Sequence, residues 1–315
     1  MSASAPSMLF IAVPAAVLGA ASFGLASALQ QRATKEVPTS RTLNPGLLVQ
    51  LARRRDWLAA TAAVGLGLAL QVVALAFAPL TLVQPLLVTG VLFGTLFAAR
   101  LAHRPLDRQI LLGALASVVG LAAFLTLARP SGGSTVLPGL PTVLPLAVIL
   151  AAIVVGCVVL SSLPRASPTA QVGALALATG ICYGVTAGLM KVVTGQIRDG
   201  GLAEVFGHPA FYVVCVVGPI GFLLSQNTFQ HGLLIAPALA TITIVDPLVG
   251  IAIGVAWLGE KLDSSPPVLV GEAISAVVVI AGIAVLAHRG TQLRHVIEDQ
   301  LQTGDQTGTA PPSAG

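Results

Sequence analysis

A charged side chain inside a long apolar run is costly to bury, so the residues that interrupt such runs are where chemistry is expected. Two acidic residues do this here. Asp246 stands in Ile244-Val-Asp-Pro-Leu-Val249, near the middle of an apolar stretch over 233–258, and Glu272 lies about one turn inside another over 267–287. A lone carboxylate in low dielectric takes up a proton, holds a cation or gathers hydrogen-bond donors, and each state suits a binding or coupling site. Asp before Pro also has a structural reading, in which a helix breaks and restarts with Asp246 as its N-cap and Pro247 in its first turn. Both readings stand at this level. For Glu272 the spacing predicts an ion pair with Lys191 or Lys261.

Uncharged polar residues also fall within apolar runs, where each needs a partner away from water. Gln71, Gln84, Ser225, Gln226, Asn227, Thr241 and Thr243 form this set, and either packing or the lining of a pathway explains them. With Asp246, the residues Gln84, Gln71, Gln226, Asn227 and Thr243 are the candidate substrate-binding or coupling groups. No zinc-ligand spacing and no Gly-x-x-x-x-Gly-Lys phosphate loop is present, so neither enzymatic catalysis nor a cofactor is expected. His103, His208, His231, His288 and His295 fall at or beyond the expected helix ends, as solvated loop histidines do. Cys157, Cys182 and Cys215 lack any pairing framework and are expected to pack as small apolar residues.

The elements that must hold these groups follow from composition. Only 9% of the 315 residues are charged and 55% are hydrophobic, against roughly a quarter charged in soluble domains. The chain therefore reads as an all-α polytopic membrane protein. Nine apolar runs, over 8–29, 57–78, 80–101, 109–128, 141–163, 170–193, 210–229, 233–258 and 267–287, are long enough to cross a hydrocarbon core about 30 Å thick. With the N-terminus outside the cell membrane, twelve of the 16 Lys and Arg residues fall on the cytoplasmic side; Arg129, Lys191, Arg198 and Lys261 remain outside. The C-terminus is then cytoplasmic. Basic residues confined to short loops do not make a nucleic-acid surface. The polar tail over 290–315 predicts disorder after a short helix.

The order of features occurs twice. Thr81-Leu-Val-Gln-Pro-Leu-Leu-Val reads like Thr243-Ile-Val-Asp-Pro-Leu-Val-Gly, each followed by a polar turn and a helix ending Leu-Ala-Arg129 or Leu-Ala-His-Arg289. Upstream, Ser22-Phe-Gly-Leu-Ala-Ser-Ala-Leu matches Cys182-Tyr-Gly-Val-Thr-Ala-Gly-Leu. This predicts a first four-helix repeat over 1–129 with a cytoplasmic loop at 30–56, a linking helix within 130–169, and a second repeat over 170–289. The odd linker inverts the second repeat across the membrane. Gly180, Gly184 and Gly188, Gly90 with Gly94, and Gly250 with Gly254 are spaced for close helix approach, within the chain or in a homodimer.

These residues resemble the drug/metabolite transporter superfamily (EamA-like), nearest its nine-helix NIPA-type branch. The resemblance covers roughly 18–289 and rests on Gln30-Gln-Arg-Ala-Thr-Lys, Ala78-Pro-Leu-Thr-Leu-Val-Gln-Pro and the segment from Val245-Asp-Pro to Gly259-Glu-Lys. It departs from that branch at Arg104-Pro105, where Glu-Arg would be expected. The resemblance and the inverted repeat imply a secondary transporter of small solutes working by alternating access. The alternatives are a divalent-cation permease, in which Mg²⁺ keeps most of its waters and uses Asp246, and a non-transporting membrane scaffold.

Overall fold

The computed structural model describes residues 5–38, 42–77, 83, 86–103, 105–128, 134, 136–231, 235–262 and 265–307. Every regular element among them is an α-helix: α1 (Ala5–Lys35), α2 (Gly46–Leu51), α3 (Arg55–Phe77), α4 (Gly90–Leu101), α5 (Arg108–Ala128), α6 (Leu140–Ser162), α7 (Pro168–Gly200), α8 (Leu202–Val205), α9 (Pro209–His231), α10 (Ile235–Ala256) and α11 (Pro266–Thr307). In hydrocarbon a helix satisfies its own backbone groups, which is why such apolar runs take no other form. Eight of these helices are long and apolar enough to cross a membrane, and the apolar helix Leu86–Leu101 is shorter. The expected third span over 80–101 begins on residues outside the described set.

Glycine contacts fix how the helices run. Gly19 of α1 lies against Leu70 and Gln71 of α3, while Gly67 lies against Phe23, so these helices are antiparallel. Gly90 and Gly94 of α4 meet Ala20 and Gly24 of α1 in the same order, so α1 and α4 are parallel. In the second half, Gly221 and Gly218 of α9 meet Tyr183 and Thr186 of α7 in opposite order. Gly180, Gly184 and Gly188 of α7 meet Val245, Val249 and Ile253 of α10 in the same order. The Gly180 stripe thus packs within the chain. The broadest contact between the halves is an antiparallel seam of α5 on α11, where Gly113 meets Gly282 and Gly120 meets Ser275 and Val279. Among the spans, α7 is central and α6 peripheral: 61% of the apolar window of α7 is buried against 6% of that of α6.

Several sequence expectations are corrected. The helix that carries Asp246 does not break, because α10 continues through Pro247, so Asp246 is not an N-cap. Lys191 pairs with Glu260, not Glu272. Gly259, at φ +67°, turns the chain back so that the Glu260 N–H reaches the Gly254 carbonyl. Gly254 thereby makes room for the Glu260 carboxylate and is not a helix-packing partner of Gly250. Cys157 and Cys182 are buried, but Cys215 is exposed on α9. The helix expected to stop shortly after residue 287 runs on to Thr307, which puts His288 and His295 inside α11 and not at a helix end.

One ion pair clamps the end of the seam. Asp107 caps α5 by accepting the N–H groups of Gln109 (2.9 Å) and Ile110 (3.1 Å), and it also accepts Arg289 Nε (2.9 Å) and Nη2 (2.8 Å) from α11. Arg289 and these N–H groups hold the Asp107 carboxyl below its ordinary range despite the opposing effect of burial. A carboxyl depressed in the folded state stabilises fully above its unfolded pKa of about 4, and the contribution fades as pH falls through the folded value. Asp107→Asn should therefore lower detergent melting temperature at neutral pH, and the gap to the parent should close below about pH 4. Asp107→Ala also loses the cap and should cost about 1 kcal/mol more. A gap between parent and Asp107→Asn that does not change with pH would refute the ion-pair account.

Candidate functional site

Asp246 is the twelfth residue of the 22 in α10, which places it about 17 Å along the helix axis and near mid-membrane. Its backbone carbonyl lies 2.5 Å from where a Cβ on Gly184 would be, so the absence of a side chain at Gly184 lets α7 press against it. Pro247 has no N–H to give, which leaves the Thr243 carbonyl without its usual intrahelical donor one turn back. Two oxygen-bearing groups thus stand close together on one partly buried stretch of helix, at Thr243 and Asp246. Among the described residues, no hydrogen bond or ion pair reaches the Asp246 carboxylate. Tyr183 of α7 packs on Gly221 of α9.

The other expected site residues are distributed differently. Gln226 and Asn227 are fully buried in the last turns of α9, nearer the membrane face where α1 ends. Gln226 accepts Trp57 Nε1 (3.2 Å) and donates to Gln30 Oε1 (3.3 Å) and Ser225 Oγ (3.2 Å). Asn227 Oδ1 accepts the N–H of Leu43 (3.0 Å), and its Nδ2 has no partner. Gln230 Nε2 donates to the Thr34 and Pro38 carbonyls at 3.3 and 3.0 Å. Leu47 and Leu51 of α2 are buried in a cluster with Ala33 and Leu223. These contacts seal the ends of α1 and α9 beneath the connection that carries α2. Gln226 and Asn227 therefore belong to a closing layer at that face.

Gln71 lies in α3 where that helix packs on Gly19 of α1. Gln84 lies outside the described residues. Glu272 is partly buried in α11, and its Oε1 has no hydrogen-bond partner. Tyr183 was not singled out from sequence as a polar group, although Cys182-Tyr-Gly184 marks the repeat that positions it. The sequence marks Trp57 only as the start of a span and Gln30 only as the start of a motif and loop. Among the described residues, no three His, Cys, Asp or Glu side chains come together as a metal site.

The long apolar helices, packed around a carboxylate at mid-depth, define a polytopic α-helical membrane protein. The chain is 26% identical over 277 residues to an uncharacterized protein of Corynebacterium glutamicum, covering 85% of this chain and 94% of that protein. No protein-family model matches the sequence, and no solved structure matches it either.

Proposed function

We propose that the protein is a secondary transporter of small polar solutes, formed by two inverted four-helix units that enclose Asp246 and that move by alternating access. The observation carrying this reading is the repeated packing: α1 takes an antiparallel α3 and a parallel α4, and α7 takes an antiparallel α9 and a parallel α10. The antiparallel packing of α5 on α11 supports opposite senses for the two groups, and on this reading α6 is the odd connecting span and the shorter α4 completes a set of nine. A scaffold needs no such pseudo-symmetry, whereas alternating access uses it to exchange two related conformations. The protein needs no covalent chemistry for this work, and no nucleic acid or cofactor takes part.

Orientation rests on the basic residues. Arg32, Lys35, Arg53, Arg54, Arg55, Arg100, Arg108, Arg165 and Arg289 gather on the face where α1 ends, which supports a cytoplasmic assignment for that face and an N-terminus outside the cell membrane. Reporter fusions after Arg55, Arg108 and Arg289 should register cytoplasm, and fusions after Ser131 and Gly200 the exterior. A cytoplasmic signal at Gly200 would break both the nine-span arrangement and the inversion. Substrate class is tested by thermal shift of the purified protein with Mg²⁺, amino acids, nucleosides and cationic drugs, followed by uptake into proteoliposomes. A shift specific to Mg²⁺ and lost in Asp246→Asn would replace the solute reading with a divalent-cation permease. No ligand-dependent shift and no uptake for any of these would count against transport.

A further inference from the structure

A second polar feature lies far from Asp246, at the membrane face where α1 ends and α3 begins. Arg32, Glu36, Arg53, Arg54, Arg55 and Asp56 line a cavity of about 380 Å³ there. Four guanidinium groups meet two carboxylates, leaving two positive charges in excess. Arg32 is shared between Glu36 (3.7 Å) and Asp56 (3.2 Å), and Arg54 pairs with Glu36. Among the described residues no carboxylate pairs with Arg53 or Arg55, and both are exposed. The carboxylates thus hold the two inner arginines in place while the outer two remain available to an anion. Their planar, multiply donating head groups suit phosphate oxygens, which accept two N–H bonds from one guanidinium.

The position selects which anion. Arg55 opens α3, and one turn further on Leu58 is exposed, followed along the span by exposed Leu66, Leu68 and Val72. A basic cavity thus continues directly into an apolar surface that faces lipid. A soluble phosphate would use only the first part, whereas a phospholipid uses both. Clustered basic residues at the cytoplasmic end of a span are also where anionic head groups concentrate. We propose that this cavity is a binding site for an anionic phospholipid, whose phosphate is held by Arg53 and Arg55 and whose acyl chains lie along α3. The site is independent of the transport reading and requires only that the apolar helices lie in a bilayer.

Trp57, two residues beyond Arg55, supplies the readout. Trp257→Phe leaves it as the sole tryptophan, and because Trp257 Nε1 has no hydrogen-bond partner the replacement removes no bond. The full chain is reconstituted in phosphatidylcholine vesicles containing increasing fractions of phosphatidylglycerol with brominated acyl chains, which quench tryptophan on contact. Half-maximal quenching should need about thirtyfold less brominated phosphatidylglycerol than brominated phosphatidylcholine, as expected for two basic charges near an anionic surface. Arg53→Gln with Arg55→Gln should erase that preference, while Arg165→Gln, in another exposed loop, should preserve it. If the double variant does not fold, Arg53→Gln alone carries the test, since Arg53 is exposed and lies outside α2 and α3. Equal quenching by both lipids, or a preference unaffected by the arginine substitutions, would overturn the proposal. Relief of quenching by millimolar glycerol phosphate would likewise overturn it in favour of a soluble phosphate ligand.

Discussion

Asp246→Asn should bring substrate uptake in proteoliposomes down to background while leaving the fold intact. The carboxylate is at mid-membrane in an unbroken helix, and among the described residues it has no hydrogen bond or ion pair to lose. Removing an uncompensated charge from such a place costs no stability and relieves the desolvation of that charge. Because Asp246 caps no helix, Asp246→Ala should also keep near-parental melting behaviour, within about 1 kcal/mol, since Ala is the best helix former. A structural role would show the opposite pattern, with stability lost in the Ala variant and uptake spared in the Asn variant. Uptake by Asp246→Asn equal to the parent at every pH between about 5.5 and 8 would remove the residue from the mechanism.

Gly184→Leu should have the largest effect on stability. A Cβ at that position would lie 2.5 Å from the Asp246 carbonyl oxygen and 2.6 Å from Val249 Cβ, and neither a backbone oxygen nor a branched side chain can move aside cheaply. The whole isobutyl group must then force α7 and α10 apart, which costs about 3 kcal/mol, the upper part of the usual range for overpacking, or more. Gly156→Leu is the control, because nothing lies within 4 Å of a Cβ there and the residue is exposed on α6. Detergent melting should fall sharply for the first variant and hardly move for the second. Conversion of a dimer into an equally stable monomer by Gly184→Leu would instead place the glycine stripe at a subunit interface.

The sequence carried the architecture further than the site, for physical reasons. Hydrocarbon imposes one rule on every span, so apolar length alone located the eight long helices, and small-residue spacing marked the face of α7 that packs closely without naming its partner. Asp-Pro was ambiguous because the same pair starts helices in water and is tolerated within them in membranes, where neighbouring helices support the backbone. Glu272 and Glu260 both lie within reach of Lys191 along the chain, and only the left-handed turn at Gly259 brings Glu260 back over the end of α10. Polarity within an apolar run groups Gln226 and Asn227 with Asp246 as candidate binding groups, but they lie near the end of α9 while Asp246 lies near the middle of α10, and such polarity does not reveal depth. In the sequence the cavity arginines act chiefly as an orientation signal, since charge bias does not reveal which carboxylates each side chain will find.

The seam of α5 on α11 has a mechanical consequence. Gly113 and Gly282 bring two backbones into direct contact, with no flexible side chain between them to absorb displacement, and the Asp107–Arg289 pair pins one end. The other contacts between the halves, chiefly α1 with α9 and α4 with α10, are narrower. If the halves rock against one another, as the proposed alternating access requires, the fulcrum falls at α5 and α11. Asp246 is on α10, which packs on both α5 and α11, whereas α2 is buried against α1 and α9. Small rotations at the glycine contact would move the carboxylate little and open or shut the sealed face above Gln226 and Asn227 by a larger distance.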